Sequence, residues 1–396
     1  MTYPIISMSI KPEWEPIHFL GRLVVGLLSL VLVFATSLPF LRNDAWWIRI
    51  FDFPRIQISV LIGLALAGYA ALRLSGLLRA WEYAIASAVG LSLVWQLYSI
   101  APYTRFYPSE MAQSRAEDDS NRISILIYNV LFDNREVEAL RNLIRDNDPD
   151  LILLSEPTQW WLEQLDGLED DYSYTVFHPQ ENHYGKLLYS KLELKDPEIR
   201  FLIEPDIPSI RTKVRLRSGT VVTLYGVHPR PPGLRRPDEE NDSVIEEDEE
   251  ETEEDGERED SDKRDAELLL VAKEVRELGN VPVIVAGDFN DVAWSRTTHL
   301  FQRIGGLLDP RVGRGFINTF DARSRLMRYP LDHVFASQNF LLVELRRLPD
   351  IGSDHFPMLV VLDYDPGASA AYEEPQPDAG DEQEADDAIE KGKSNE

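Results

Sequence analysis

The first hundred residues contain three long runs of uncharged, mostly apolar residues. The runs cover Leu23–Leu41, Ile56–Leu72 and Tyr83–Tyr103, and are 19, 17 and 21 residues long. A helix needs about 20 such residues to cross roughly 30 Å of hydrocarbon. Three runs in close succession favour membrane-spanning helices over a buried helical core, and the length of the first argues against a cleaved signal peptide. Residues 1–104 are therefore predicted to be a multi-pass membrane region in contact with a lipid bilayer.

The rest of the chain alternates between short β-branched runs and helical patterns. A polar segment at 105–122 is predicted to be a linker, and a mixed α and β domain is predicted at 123–365. Helical spacing of apolar residues appears at 135–147, 159–165 and 264–278. The predicted strands are Ile123–Tyr128, Leu151–Leu154, Thr175–Phe177, Leu187–Tyr189, Val221–Val227, Val283–Ala286, Asp332–Ala336 and Met358–Leu362. Such mixing indicates a layered α/β domain.

The charge of the chain is concentrated in two places. The sequence has 68 acidic against 40 basic residues, a formal net charge of −28. Residues 238–262 hold 17 acids and one arginine, and residues 366–396 hold 10 acids and two lysines. Blocks of like charge resist packing, so we predict a disordered acidic insertion and a disordered acidic tail. The nearly neutral remainder argues against a protein that holds duplex nucleic acid by bulk positive charge.

Two further features of the composition bear on the kinds of site the protein can form and on its orientation in a membrane. The chain has no cysteine, which excludes disulfides, thiolate nucleophiles and cysteine-based metal sites. Basic residues divide evenly between the two sides of the predicted membrane region, four against four. The positive-inside rule therefore does not decide which side carries the domain.

Polar side chains lie at the ends of the predicted strands. Five follow a strand: Asn129, Glu156, His228, Asp288 and Asn290. Asp332 opens a strand, and Asp354 and His355 precede the last one. Any one of them alone is more often a turn or cap residue than a catalytic one. Together they form an oxygen-rich set that suits Mg²⁺ or Mn²⁺ better than zinc or copper. A histidine and an aspartate beside such a cation can move protons near neutral pH, as metal-assisted hydrolysis of a phosphate ester requires.

The order of these residues resembles the endonuclease/exonuclease/phosphatase superfamily of deoxyribonuclease-like, metal-dependent phosphoesterases. The resemblance covers about Ile123 to Asp363 and rests on Gly287-Asp288-Phe289-Asn290 with Ser353-Asp354-His355 about 65 residues later. It implies a four-layer α/β/β/α sandwich, here preceded by three transmembrane helices, with the site at one edge of two packed sheets.

The resemblance also implies roles for individual residues. Glu156 would be the main metal ligand, helped by Asn129, and Asp354 would contact or support the metal. Asp288 would orient or deprotonate the attacking water. The remaining residues would face the phosphate: Asn290 and His228 on its oxygens or leaving group, and His355 paired with Asp332.

Two positions depart from the family pattern. Ser155 stands where a glutamine often precedes the metal-binding glutamate, and Leu131 stands where many nucleases have an aspartate. The second departure weakens a nuclease assignment more than it weakens hydrolysis. Arg230 follows His228 closely and is a candidate for binding a substrate phosphate. The alternative for Arg230 is a solvated loop that neutralises the adjoining acidic run.

The sequence therefore predicts a membrane-anchored, Mg²⁺- or Mn²⁺-dependent phosphoesterase that hydrolyses a phosphodiester or phosphomonoester. Lipid headgroups, small molecules and nucleic acids all remain possible substrates, and no obligate protein partner is inferred. The first alternative is a DNA endonuclease or exonuclease of the same superfamily. The second is a catalytically silent membrane scaffold whose acidic segments recruit a basic partner.

Overall fold

A computed structural model describes residues 15–76, 78–233, 260–368, 372 and 375–394. These residues form two compact units, one built from 15–42 and 54–100 and the other from 43–53 and 101–394. The short segment at 43–53, which contains helix α2 (Trp46–Arg49), therefore belongs to the second unit although it lies between helices of the first.

The first unit consists of helices α1 (Glu15–Ser37), α3 (Arg55–Leu74) and α4 (Ala80–Ile100). Within the described part of the chain, three helical segments, one based on each of these helices, are long and apolar enough to cross a membrane. Polar side chains pair between the helices. Arg22 donates two hydrogen bonds to Glu82, at 2.8 and 3.0 Å. Gln96 Nε2 donates to Thr36 Oγ1 at 3.1 Å. Such pairing satisfies polar groups that would be costly to leave unpaired among apolar side chains.

The described residues of the second unit form two β-sheets. The six-stranded sheet has the order β10-β11-β1-β2-β4-β3 and the five-stranded sheet the order β5-β6-β7-β8-β9. The strands are β1 (Arg122–Asn129), β2 (Leu151–Ser155), β3 (Tyr174–His178), β4 (Lys186–Ser190), β5 (Glu193–Phe201), β6 (Pro208–Arg215), β7 (Val221–Val227), β8 (Val283–Asp288), β9 (Asp332–Ala336), β10 (Phe340–Arg347) and β11 (Met358–Tyr364).

Helices cover the outer face of each sheet. Helices α5 (Val137–Asn147) and α6 (Gln159–Gln164) pack on the six-stranded sheet. Helices α7 (Asp262–Glu277), α8 (Arg296–Gly305) and α9 (Asp381–Ser394) pack on the five-stranded sheet. The inner faces of the two sheets share one apolar core. This arrangement confirms the predicted four-layer α/β/β/α sandwich and the three long apolar helices before it.

Strand pairing brings the predicted functional positions to one edge of the sandwich. β1 and β2 are parallel, with Asn129 opposite Ser155, the residue before Glu156. β7 and β8 are also parallel, with Val227 opposite Gly287, and β9 pairs antiparallel with β8 so that Asp332 lies opposite Asp288. The carboxyl ends of parallel strands meet at the same edge of a sheet, which explains why strand-end residues converge.

The predicted linker at 105–122 is wrong over part of its length. Met111 is fully buried in the core between the sheets, and the Ser114 backbone N–H donates to the Leu342 carbonyl at 2.7 Å. The segment therefore packs along β10. One apolar residue in a polar run gives no periodic signal, which is why the sequence does not reveal this packing.

The predicted disordered tail is also wrong over Asp381–Ser394, which form α9. Ala385, Ile389 and Gly392 recur at helical spacing and are buried. Acidic residues on α9 pair with basic residues of α7 and α8; for example, Arg303 Nε lies 2.6 Å from Asp381 Oδ2. Paired acids need not repel one another, so the charge count alone misjudges this segment.

One predicted segment lies largely outside the described residues, and several observed helices and strands are not predicted by the sequence. The predicted acidic insertion at 238–262 lies outside the described residues except for its last three. The sequence does not predict β5, β6, β10 or α8. No residue of β5 is fully buried, and its pairing with β6 shifts register between Lys195 and Glu198, so it lacks the alternation that identifies a half-buried strand.

Glu110, in the segment at 105–122, provides a test of how that segment packs. Its carboxylate accepts hydrogen bonds from Gln302 Nε2 at 2.7 Å and from the Asp309 backbone N–H at 3.1 Å. Burial, and then the charge of Asp309, raise its pKa to about 7. The folded protein therefore binds more protons than the unfolded chain between about pH 4.5 and pH 7, and this contribution to stability is lost as the pH rises through 7.

We expect Glu110→Gln to be more stable than the wild type at pH 8, by on the order of 1–3 kcal/mol, and about equally stable at pH 4. Thermal unfolding of the full chain at both pH values measures the difference. Glu117→Gln is the matched control because Glu117 is exposed. A variant no more stable than the wild type at pH 8 would show that Glu110 is not held in a desolvated site.

Candidate active site

Asp288 lies at the centre of the cluster formed by the strand ends. Its side chain is 1% exposed and follows the buried strand β8. Its Oδ2 lies 3.2 Å from Asn129 Nδ2, 3.5 Å from His355 Nε2 and 3.7 Å from His228 Nε2. Burial, opposed by His355 and reinforced by Asp332, raises the pKa of Asp288 to about 6. A carboxylate with such a pKa can accept a proton near neutral pH.

Glu156 and Asn129 form one side of the cluster. Asn129 Nδ2 donates to Glu156 Oε1 at 2.8 Å, and the Phe132 backbone N–H donates to Glu156 Oε2 at 3.3 Å. Glu156 has a φ of 63°, in the left-handed region that non-glycine residues rarely adopt. The strain at Glu156 is consistent with a side chain held for function rather than for stability.

His355 and Asp332 form the opposite side. His355 Nδ1–H donates to Asp332 Oδ2 at 2.7 Å, which leaves its Nε2 facing Asp288. Burial lowers the pKa of His355, but Asp332 and Asp288 outweigh that effect and raise it to about 10. His355 is therefore an imidazolium at neutral pH and can stabilise negative charge on a phosphoryl group.

Asn290 is held in place by the turn after β8. Its backbone N–H donates to Asp288 Oδ1 at 2.9 Å, and its Nδ2 donates to the Pro229 carbonyl at 2.9 Å. An amide carries two N–H donors, so this bond to Pro229 uses one of them. Gly287, near the end of β8, is required because a Cβ there would collide with the Val227 carbonyl. The turn thus fixes Asp288 and Asn290 beside the strand that precedes His228.

Two predicted site residues have other prominent partners. Asp354 accepts hydrogen bonds from Ser353 Oγ at 3.3 Å and from Arg323 Nη2 at 3.2 Å. Arg230 Nε donates to both oxygens of Glu204, at 3.0 and 3.1 Å. Metal binding by Asp354 and phosphate binding by Arg230 therefore remain predictions.

Two residues at the site are missed by the sequence pattern. His183 Nδ1 lies 3.4 Å from Glu156 Oε2, and its ring packs against Phe132. Lys186 is fully buried, and its Nζ donates to Ser155 Oγ at 2.8 Å and to the Val227 carbonyl at 3.0 Å, which ties the two sheets together. Burial lowers the pKa of Lys186 to about 7. A lone charge opening an apolar strand is a signal that could have identified Lys186, whereas His183 belongs to no motif.

The donor set at this edge fits a hard divalent cation. Glu156, Asp288 and Asp332 are buried carboxylates within one cluster. Asp288, Asp332 and His355 each place a ligand atom within 4.8 Å of the others and could hold a metal. Several buried carboxylates with few compensating cations are costly to bring together, and a bound cation would offset that cost.

Comparisons with known proteins find a matching family and several similar solved structures. A sequence model described as the Endonuclease/Exonuclease/phosphatase family matches residues 126–355. No curated protein matches significantly. Similar solved structures include TDP2 from D. rerio complexed with a single-strand DNA product, at 16% identity and a TM-score of 0.45, covering 61% of this chain and 99% of that one.

Two further structures have the same level of similarity. The human Nocturnin catalytic domain with bound sulfate is 14% identical, with a TM-score of 0.45 and coverage of 66% of this chain and 98% of that one. A family protein from Bacteroides thetaiotaomicron is 18% identical, with a TM-score of 0.45 and coverage of 62% and 98%. Because the family match spans more than half of the chain and includes the cluster around Asp288, this protein belongs to the endonuclease/exonuclease/phosphatase family of hydrolases, which act on phosphate ester bonds.

Proposed function

We propose that the protein is a membrane-anchored phosphoesterase that uses Mg²⁺ or Mn²⁺ to hydrolyse a phosphodiester or phosphomonoester. The observation that carries the proposal is the buried cluster at one edge of the sandwich, in which Asp288 lies within 4 Å of Asn129, His228 and His355. These groups comprise a base, two imidazoles and an amide, which together can manage the protons and charges of ester hydrolysis.

In this proposal Glu156 is the principal carboxylate of the metal site. Asn129 is its neighbour, and its Nδ2 faces Glu156 while its Oδ1 accepts from the Leu131 backbone N–H at 3.0 Å. Coordination by Asn129 would require the amide to turn over so that the oxygen faces the site. When bound, the cation would polarise the phosphoryl oxygens and neutralise charge that develops on them.

The protein's own residues divide the remaining work. Asp288 accepts a proton from the water that attacks phosphorus, and His228 donates a proton to the oxygen that leaves as the P–O bond breaks. His355, kept protonated by Asp332, stabilises a phosphoryl oxygen, and Asn290 holds another through its amide. The burial of Asp288 and Asp332 strengthens each of these electrostatic effects because bulk water is excluded.

A lipid headgroup or another small phosphate ester is the substrate class we favour. Two arginines beside predicted site residues are paired with acids: Arg230 with Glu204, and Arg323 with Asp354. A nuclease gains most of its non-specific affinity from unpaired basic residues along the strand. Three helices apolar enough to cross a membrane support placement beside lipid.

The test is a substrate panel assayed with the full chain in detergent. Bis(p-nitrophenyl) phosphate, p-nitrophenyl phosphate, phospholipid vesicles and a single-stranded DNA oligonucleotide are incubated with Mg²⁺, then with chelator, then with Mg²⁺ restored. We expect hydrolysis of at least one ester, its loss with chelator and its recovery with metal. Absence of metal-dependent turnover on all four would refute the proposal and favour the scaffold. Preferential cleavage of DNA with a steep salt dependence would favour the nuclease.

A further inference from the structure

Residues 43–53, which lie between α1 and α3 in the chain, pack within the second unit, the one that carries the candidate active site. The Trp294 indole N–H donates to the Asp52 carbonyl at 2.7 Å, and the Ser261 backbone N–H donates to the Asp44 carbonyl at 2.9 Å. The Phe53 and Tyr329 rings pack in a T-shaped arrangement with centroids 5.5 Å apart. These contacts fix residues 43–53 against α7 and the loops that follow β8 and precede β9.

Arg49 is the buried cation of this segment. It is 7% exposed and lies at the end of α2. Its Nη2 donates to Thr297 Oγ1 at 2.9 Å and lies 3.8 Å from Asp265 Oδ2 and 3.8 Å from Asp291 Oδ2. Its Nη1 lies 3.5 Å from Asp52 Oδ2. A guanidinium in such surroundings serves several carboxylates at once.

The charged groups around Arg49 also hold the backbone of the turn after β8, which carries Asn290. Asp291 directly follows Asn290, and its carbonyl lies 2.8 Å from His333 Nε2. Arg264 Nη1 donates to the Asn290 carbonyl at 2.8 Å, while Arg264 Nη2 lies 2.7 Å from Asp265 and 3.6 Å from Asp291. Asn290 has a φ of 52°, a left-handed conformation that surrounding contacts must maintain.

The balance of charge makes Arg49 important to this turn. Two buried carboxylates, Asp265 and Asp291, face two guanidiniums, those of Arg49 and Arg264. Removing Arg49 leaves these two carboxylates with one guanidinium, and a buried charge that loses its partner rearranges to reach water or other donors. Asp291 is the carboxylate whose movement would displace Asn290.

We propose that Arg49 is a positioning residue for catalysis: through Asp291 it holds the turn that carries Asp288 and Asn290. The inference rests on the proposed phosphoesterase function and deepens it. Under this inference a side chain supplied from between two candidate membrane-spanning helices sets the geometry of the reaction. Sub-ångström to ångström displacements of positioning groups commonly lower turnover by up to about 100-fold.

The experiment is a double-mutant cycle on the full chain, measured with the best substrate of the panel. Arg49→Met, which keeps the length and removes the charge, is expected to lower kcat by about 10- to 100-fold with KM within about threefold of the wild type. Arg49→Lys, which keeps the positive charge, should retain most of the wild-type kcat. In the Arg49→Met/Asp291→Asn double variant the loss should be smaller than the product of the two single losses, because the charges are again balanced.

Arg303→Met is the matched control, because Arg303 also pairs with an aspartate within the second unit. Arg303 lies near the C-terminal end of α8, whereas Thr297, the partner of Arg49, lies near its N-terminal end. It should lower the melting temperature without changing kcat. Wild-type kcat in Arg49→Met, or strictly multiplicative losses in the double variant, would overturn the inference. If Arg49→Met does not fold, a double variant that folds with a reduced kcat close to that of Asp291→Asn supports the inference. Wild-type kcat in that variant, or a kcat well below that of Asp291→Asn, overturns it. A wild type without metal-dependent activity would refute the proposed function instead.

Discussion

Asp288→Asn is expected to lower kcat by about 10³-fold or more while leaving the fold intact. The substitution keeps the shape of the side chain but removes the group that accepts a proton from water, a contribution of about 10²- to 10⁴-fold on its own. It also removes the negative partner that faces His228 and His355, at 3.7 and 3.5 Å. Stability should not fall, because a desolvated charge is replaced by a neutral amide.

Steady-state kinetics and thermal unfolding measure the two effects separately. Asp146→Asn is the matched control, since Asp146 is an exposed aspartate on α5, and its kcat should equal that of the wild type. If Asp288→Asn retains more than about a tenth of wild-type kcat, then Asp288 is not the base and the water must be activated elsewhere.

Glu156→Gln is expected to weaken Mg²⁺ binding by about 100-fold or more, as judged by the metal concentration that gives half-maximal activity. A neutral amide is a far poorer ligand for a hard cation than a carboxylate. The hydrogen bond from Asn129 Nδ2 to the side-chain oxygen can persist, so the local structure should be retained. Saturating metal should recover part of the lost turnover, which distinguishes a ligand from a base.

Asp332→Asn is the partner experiment, because Asp332 belongs to the other group of residues that could hold a metal. If Glu156 is the principal ligand, Asp332→Asn lowers kcat through His355 and leaves the metal requirement nearly unchanged. The opposite result, a lost metal affinity in Asp332→Asn and a normal one in Glu156→Gln, would place the cation at Asp288, Asp332 and His355 and would revise the assignment.

Much of the site can be predicted from the sequence because each functional group lies at or beside the end of an apolar strand. A strand such as Val283–Asp288 is recognisable from composition, and its last residue necessarily lies at the sheet edge. The proximity of Asn129 and Glu156 then follows from parallel pairing of β1 and β2, which apolar strands separated by a helix favour. Asp288 belongs to the other sheet and joins them because the two sheets pack face to face. The strands of the sandwich and the polar residues at their ends are both local sequence patterns, and both recur along the chain.

The features that the sequence does not reveal depend on partners far away in the chain. Met111 packs between sheets formed by later residues, and the acids of α9 are neutralised by arginines on α8. Arg49 lies in a short, mostly apolar segment, more than 200 residues before Asp265 and Asp291, which lie beside it. Lys186 bonds to a serine and a carbonyl on different strands. No periodicity within a short window encodes such contacts.

Hydrolysis in ¹⁸O-labelled water tests the central claim most directly. The full chain is allowed to hydrolyse its preferred ester in the presence of Mg²⁺, and the products are analysed by mass spectrometry. Attack of water on phosphorus predicts one ¹⁸O atom in the phosphate-bearing product and none in the released alcohol, with the reaction lost on chelation and in Asp288→Asn. Label in the alcohol, or the same labelled product formed without metal, would contradict the account.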